Sequence, residues 1–319
     1  MSSSSGSTTH GGIVVAEFME EAAVAALRAA HPTLYDPALA EQPGRLAEAL
    51  REARALVVRD RTAVDAALLS GARRLRVVGR LGAGVDNIDL EACRVRAVEV
   101  ISATGANADS VAEYVILAVG QLLRGAFGAT AEVAAGAWPR ARLAAGREMG
   151  GKTLGVVGFG DIGRRVAKLA RAFGMRVVAH DPVLPNDHSG WTETHTERVA
   201  LDGLLARADA VTLHVPLTPA TRGLVSAARL AQMRPGAVLV NTSRGGVVEE
   251  AALAAALREG RLGGAALDVF EEEPLPGGTP LAGCPNLILT PHIAGLTAES
   301  NVRVSTVVAE RVLVALAMG

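Results

Sequence analysis

Thr153-Leu-Gly-Val-Val-Gly158-Phe-Gly160-Asp-Ile-Gly163-Arg164 is the stretch on which the reading of this 319-residue chain turns. An apolar run ends at Gly158-x-Gly160-x-x-Gly163, and a helical pattern begins at once. Each glycine meets a separate steric need. Gly158 permits a tight turn, Gly160 admits a pyrophosphate close to the backbone, and Gly163 lets strand and helix pack closely. The helix that follows offers unpaired N–H groups and the positive end of its dipole to the phosphates. A glycine turn alone can also hold other nucleotides or merely end a strand. Asp181 narrows the choice: it closes the next apolar run, residues 176–180, where a carboxylate accepts from both ribose hydroxyls and repels a 2′-phosphate. NAD is therefore expected rather than NADP, although Arg164 and Arg165 stand close enough in sequence to soften that preference.

Outward from this turn, short Val- and Ile-rich runs alternate with Ala/Leu/Arg segments of helical period, the pattern of parallel strands joined by crossover helices. Before it, strands are expected at residues 12–16, 55–59, 75–79 and 98–102, enough for a small doubly wound unit. A long helical pattern covers residues 109–124, and the irregular, glycine-containing stretch 136–151 reads as a join. After the join, strands are expected at 153–157, 176–180, 210–215, 237–241, 264–269 and 287–290, with a closing helix at 298–318. Fold class is α/β. Residues 1–11, small and polar, read as a disordered lead-in and carry no fold information.

Composition excludes several classes of function. With 50% hydrophobic residues, 20% charged residues and a net charge of -1, the chain has no global attraction for polyanions, so nucleic acid is not an expected partner. The apolar stretch 111–123 is shorter than the roughly 18 residues a membrane helix needs and contains Glu113 and Gln121. Cys93 and Cys284 form neither a CxxC pair nor a disulfide framework, which suits a reducing cytoplasm. No His, Cys and acid spacing suggests a metal, and no Gly-x-Ser-x-Gly elbow suggests a serine nucleophile.

Among seven histidines, His292 differs from the rest. It follows the apolar run 287–290 and so stands at the carboxyl end of a strand, where open α/β sheets take their ligands. His10, His31, His188 and His195 fall in tail, helix-end and loop positions, and His180 and His214 read as structural residues of strands. Two further strand ends carry partners for His292. Arg244, in Asn-Thr-Ser-Arg-Gly-Gly, can clamp a carboxylate through two parallel bonds, and Glu273, in Phe-Glu-Glu-Glu-Pro, can orient an imidazole. A guanidinium, an imidazole and a carboxylate form a complete set for proton handling beside a hydride transfer. A carboxylate next to an imidazole also favours the protonated ring.

The chain resembles the D-isomer-specific 2-hydroxyacid dehydrogenase family, in particular its phosphoglycerate-dehydrogenase-like members. The resemblance runs from about residue 12 to near the C-terminus. It is carried by GRLGAGVDNID at 79–89, GVVGFGDIGR at 155–164, HVPLT at 214–218, MRPGAVLVNTSR at 233–244, ALDVFEEEP at 266–274 and TPHIAG at 290–295. It implies that Arg244 holds the substrate carboxylate, His292 is the acid/base and Glu273 its partner. It also implies that Asp161 and Ile162 meet the pyrophosphate, Asp181 the adenosine ribose and Val215 the adenine side. Thr242 and Ser243 would contact the cofactor backbone and Asp268 the nicotinamide carboxamide, with Ala83, Pro216 and Gly295 completing the cofactor contacts.

By the same resemblance the fold consists of two doubly wound parallel-sheet domains. The substrate domain would comprise residues 12–102 plus 296–319, and a Rossmann cofactor domain, 103–295, would be inserted in it. Closure between them would exclude water from the hydride path, and the helix at 109–124 would serve a homodimer interface. Asp60, Thr104 and Glu249 depart from the residues often found there, namely Ser, Pro and Asp.

Substrate contacts are expected from Arg59, Arg80, Gly82, Ala83 and Arg244. Arg59 and Arg80 stand at strand ends of the first domain, where they could meet a second anionic group on a small 2-hydroxy or 2-keto acid. Residues 295–304, GLTAESNVRV, resemble members acting on sulfolactate, while phosphoglycerate and hydroxypyruvate types stay open. Two other readings compete. One is an NAD-sensing corepressor of the same family with little turnover, for which no partner-binding extension is visible. The other is an S-adenosyl-based transferase, which leaves Arg244, Glu273 and His292 without a role.

Overall fold

Strands that are apolar on both faces need helices on both sides of a parallel sheet, and the chain builds two such sheets. The computed structural model describes residues 12–318; the expected lead-in at residues 1–11, with His10, lies outside the described residues. Two compact units result, one running to Asn107 and resuming at Leu296, the other spanning Ala108–Gly295. The second is inserted in the first along the chain. Residues 136–151, read from sequence as a join, belong to the second unit.

In the first unit, β1 (Ile13–Val15), β2 (Thr33–Tyr35), β3 (Ala55–Val58), β4 (Val77–Arg80) and β5 (Glu99–Ser102) form a parallel sheet in the order β2-β1-β3-β4-β5. Alternation along each strand divides the side chains between two cores. Ile13, Val15, Val57 and Val77 meet Leu27, Val308 and Val312 on one face, while Val14, Leu56, Val58 and Val78 meet Leu46, Leu50 and Leu69 on the other. The C-terminal helix Ala298–Met318 lies so close to β4 that a Cβ on Gly79 would sit 2.8 Å from Val308 Cγ1. Strand β2 has no counterpart in the sequence reading. Its three half-exposed residues occupy the sheet edge, so no apolar run announces it.

In the second unit, β6 (Thr153–Val157), β7 (Arg176–His180), β8 (Glu197–Arg198), β9 (Ala210–Leu213), β10 (Val238–Asn241), β11 (Gly264–Leu267) and β12 (Leu287–Leu289) are all parallel. Their order is β12-β11-β10-β9-β6-β7-β8. From β6 the chain first winds outward through β7 and β8, then returns to start again at β9. The paired strands β6 and β9 therefore mark the topological switch point, outside whose carboxyl ends such sheets bind ligands. This is a Rossmann arrangement, extended by β12. Helices Ala108–Arg124 and Asp161–Ala172 cover one face, and Leu201–Arg207, Ala227–Gln232 and Glu250–Arg258 cover the other. Strand β8 was also missed from sequence, being two exposed residues at the other edge.

Among the described residues no single helix is long and apolar enough to cross a membrane. Cys93 is buried and Cys284 half-buried, both as free thiols.

Candidate functional site

Strand β6 runs into the glycine turn at the switch point. Gly158 has φ +89°, and a Cβ there would lie 2.3 Å from the His214 carbonyl oxygen. A Cβ on Gly163 would lie equally near, 2.3 Å, from the Gly158 carbonyl oxygen. Backbone cannot yield to either side chain, so both positions need glycine. Gly160 faces open space, with nothing within 4 Å of a Cβ built there. Helix Asp161–Ala172 begins directly after it without a side-chain cap, which leaves the first-turn N–H groups, those of Asp161 and Ile162 included, to an outside acceptor.

Asp181, at the end of β7, accepts the Phe159 N–H at Oδ2 (2.8 Å) and those of Val183 and Leu184 at Oδ1 (2.9 and 3.0 Å). Burial alone would raise its pKa, but these backbone bonds hold the carboxyl below its ordinary range. A negative charge is thus anchored at the rim of the turn. Arg165 is matched by two carboxylates, Asp109 and Asp161, the latter at 3.3 Å. Its charge is already answered within the unit. At the end of β10, Ser243 donates its N–H and its hydroxyl to Asn241 Oδ1 (3.0 and 2.7 Å). Thr242 Oγ1 is buried without a hydrogen-bond partner among the described residues, an arrangement that costs free energy unless something else supplies one. Val215 and Pro216 follow β9, with Val215 Cγ1 3.0 Å from the position of a Gly158 Cβ. Open cradle, uncapped helix start, orphaned hydroxyl and anchored anion together fit a dinucleotide.

Arg244, Glu273 and His292 follow β10, β11 and β12, three neighbouring strands of one sheet. His292 Nδ1 lies 2.8 Å from Glu273 Oε2, and Glu273 Oε1 accepts the Phe270 N–H at 3.0 Å. The imidazole side chain is 52% exposed, and its Nε2 has no partner among the described residues. Arg244 Nη1 donates to the Ser243 carbonyl at 2.6 Å, and Asn241 Nδ2 donates to the Arg244 carbonyl at 3.0 Å, which fixes the arginine to its own loop.

His292 has φ +53°, a conformation that costs a residue with a side chain about 1–3 kcal/mol. Something must hold it there. Asp268, 1% exposed, lies under the loop: Oδ1 accepts from Thr290 Oγ1 (2.6 Å) and the Ile293 N–H (2.8 Å), and Oδ2 from the Ala294 N–H (2.8 Å). Gly295, half-buried, ends the loop. His180 and His214 are structural. His180 Nδ1 bonds the Val199 carbonyl at 3.1 Å; His214 Nε2 meets Thr212 Oγ1 at 3.1 Å, and burial pushes its pKa down to about 3.

A Cβ on Gly245 would fall 1.6 Å from the Phe270 carbonyl oxygen. The loop of Arg244 and the loop of Glu273 therefore touch backbone to backbone. Gly245→Ala is expected to force them apart at a cost of about 1–3 kcal/mol, the range for overpacking. Urea unfolding measures this, and an unchanged midpoint would contradict the contact.

In the first unit, Arg59 follows β3 and Arg80 ends β4, with Val58 and Arg80 in register. Glu17, 1% exposed, accepts the backbone N–H groups of Arg59 (2.9 Å), Arg61 (3.2 Å) and Thr62 (3.0 Å). Burial would raise its pKa, yet these bonds keep it below the ordinary glutamate range. Arg59 Nη2 donates to Asn301 Oδ1 (3.0 Å) and the guanidinium stands 5.5 Å above the Phe18 ring, while its Nε is buried without a partner among the described residues. Gly82 makes room for Arg80: a Cβ there would lie 1.6 Å from Arg80 Nη1. Ala83, half-buried, follows in the same turn.

Sequence reasoning did not single out Glu17, Gly245, Thr290 or Tyr114, whose phenol oxygen lies 2.6 Å from Thr290 Oγ1. An acid directly after the apolar run 12–16 was a usable signal for Glu17, and the glycine beside Arg244 was one for Gly245. Tyr114, inside an apolar helical pattern, gave none.

The family model described as "D-isomer specific 2-hydroxyacid dehydrogenase, NAD binding domain" matches residues 116–294. The chain is 51% identical over 305 residues to (S)-sulfolactate dehydrogenase of Chromohalobacter salexigens, covering 95% of this chain and 98% of that one. It is 43% identical over 272 residues to D-3-phosphoglycerate dehydrogenase of Methanocaldococcus jannaschii, covering 84% of this chain but 50% of that protein, so it spans about half of that longer relative. The crystal structure of TT0316 protein from Thermus thermophilus superposes with a TM-score of 0.85 at 34% identity, covering 96% of this chain and 97% of that one. With a matching NAD-binding domain, relatives of this likeness and a fold to suit them, the chain belongs to the D-isomer-specific 2-hydroxyacid dehydrogenase family and is an NAD-dependent oxidoreductase of 2-hydroxy acids.

Proposed function

We propose that the substrate is a short 2-hydroxy acid, or its 2-keto acid, with a second anionic group on the side chain, the sulfolactate/sulfopyruvate pair first among them. The likeness to a sulfolactate dehydrogenase over nearly the whole of both chains supports this choice. The observation that carries the reaction is the 2.8 Å bond between His292 Nδ1 and Glu273 Oε2, which turns the unpartnered Nε2 to proton transfer. NAD, when bound, supplies the acceptor or, reduced, the donor of the hydride. Arg244 holds the α-carboxylate by charge-assisted bonds. In the oxidative direction Nε2 takes the hydroxyl proton as the α-carbon gives up its hydrogen with the bonding pair. In reduction the same nitrogen returns that proton to the carbonyl oxygen. The turn at 158–163 and the hydroxyl of Thr242 bind the dinucleotide, Asp181 takes its ribose and disfavours NADP, and Asp268 takes the carboxamide side.

Arg59 and Arg80 are assigned to the second anion. The buried, unpartnered Nε of Arg59 supports that role, and so does the cradle by which Glu17 fixes the arginine's backbone. The first unit is then the substrate domain and the second the cofactor domain. A homodimer and a cytoplasmic location complete the proposal. The dimer is supported by four large apolar side chains left exposed on one segment of the second unit, Leu117 at 71%, Phe127 at 68%, Val133 at 43% and Trp138 at 79%; light scattering on the purified chain tests it. No observation favours a binding-only protein.

NADH oxidation across 3-sulfopyruvate, 3-phosphohydroxypyruvate, hydroxypyruvate and pyruvate tests the substrate class. The acids with an anionic side chain should exceed pyruvate in kcat/KM by roughly 10- to 100-fold, the value of one charge-assisted bond. Arg59→Ala should shrink that gap. Equal turnover of all four acids, unchanged by Arg59→Ala, removes the second anion from the proposal.

A further inference from the structure

One hydrogen-bonded chain reaches the His292 loop from helix Ala108–Arg124. Tyr114 sits half-buried on helix Ala108–Arg124, which packs against β10 and β11. Its phenol oxygen lies 2.6 Å from Thr290 Oγ1, and Thr290 donates its one hydroxyl hydrogen to Asp268 Oδ1, also at 2.6 Å. With that hydrogen committed, Thr290 can only accept, so Tyr114 is the donor of the first bond. Asp268 in turn takes the N–H groups of Ile293 and Ala294, and the Thr290 carbonyl accepts the N–H of His292 itself at 3.0 Å. Every residue beside the left-handed His292 except Pro291 is thus tied to this one chain.

We propose that Tyr114 is a positioning residue for catalysis: through Thr290 and Asp268 its hydroxyl holds the strained loop that aims His292 Nε2 at the substrate. The proposal rests on the assignment of His292 as the acid/base group. Physically, the helix is a better anchor than the loop. Its buried face, including Val111, Val115, Ala118 and Val119, is set in the core of the unit, whereas His292 and Ile293 are exposed. Successive O–H donors polarise one another, so the chain is stronger than its separate bonds. Removing the phenol hydroxyl leaves Thr290 without its donor and relaxes the loop by one constraint, without touching Arg244 or the glycine turn.

Tyr114→Phe removes that hydroxyl and little else. With 3-sulfopyruvate and NADH, the single-turnover rate of NADH oxidation should fall about 5- to 10-fold, the worth of one hydrogen bond. KM for 3-sulfopyruvate, Kd for NADH and Tm should stay close to those of the parent protein. In a His292→Asn background the same substitution should have no further effect, because the group it positions is gone. The proposal is overturned by a parent-like rate in Tyr114→Phe, by a loss that appears in KM or in NADH binding instead, or by an equal loss in the His292→Asn background. A His292→Asn protein with the parent rate overturns the acid/base assignment itself and the positioning role with it, an outcome separate from the other three.

Discussion

Arg244→Ala should lower kcat/KM by roughly 100- to 10,000-fold, because two charge-assisted bonds to the substrate carboxylate, each worth about 1.5–3 kcal/mol, disappear together. The fold should survive. The ties that shape the loop around Arg244 are mostly made by other groups: its own carbonyl accepts from Asn241 Nδ2, and Ser243 is bonded to Asn241 Oδ1. Arg244→Lys should recover only part of the loss, since an ammonium keeps the charge but cannot present two parallel N–H groups. Steady-state kinetics with 3-sulfopyruvate, beside an NADH titration that should be unaffected, measures all three expectations. A near-parent rate in Arg244→Ala would overturn the clamp.

His292→Asn should lower kcat by about 100- to 10,000-fold in both directions, the usual range for removing a general acid/base. Asparagine can keep a contact with Glu273 but cannot carry the proton. NADH binding should persist, because the turn at 158–163 and Asp181 lie at the ends of β6 and β7, while His292 lies beyond β12 at the edge of the sheet. Loss of cofactor affinity along with turnover would mean that the substitution had disturbed the unit as a whole. A preserved rate would leave the reaction to another group.

Much of the candidate site can be read along the chain. The glycine turn is contiguous, and what it requires of each position is local: a positive φ at Gly158, open space at Gly160 and a close approach at Gly163. Asp181, Arg244 and His292 stood out as candidates because each lies at or just past the end of an apolar run, and in a parallel sheet the ends of such runs gather on one side. The edge strands β2 and β8 escaped because short, exposed strands carry no apolar run to read.

By itself, then, the amino-acid order determined an α/β chain with a dinucleotide turn and a guanidinium, a carboxylate and an imidazole at strand ends. Hydrophobic period and the sterics of glycine are properties of neighbours in the chain, so they can be read along it. The pairing of Glu273 with His292 was expected from the sequence, but tertiary structure alone decided the pairs that support the loops. Tyr114 and Thr290 are 176 positions apart and Glu17 and Arg59 are 42 apart; their bonds depend on how helices lie on strands and how loops return across them. The same holds for Asp268, whose place beneath the His292 loop follows from the packing of β11 beside β12. Contacts of this kind are set by strand register and by how elements pack across the sheet, which no local pattern encodes.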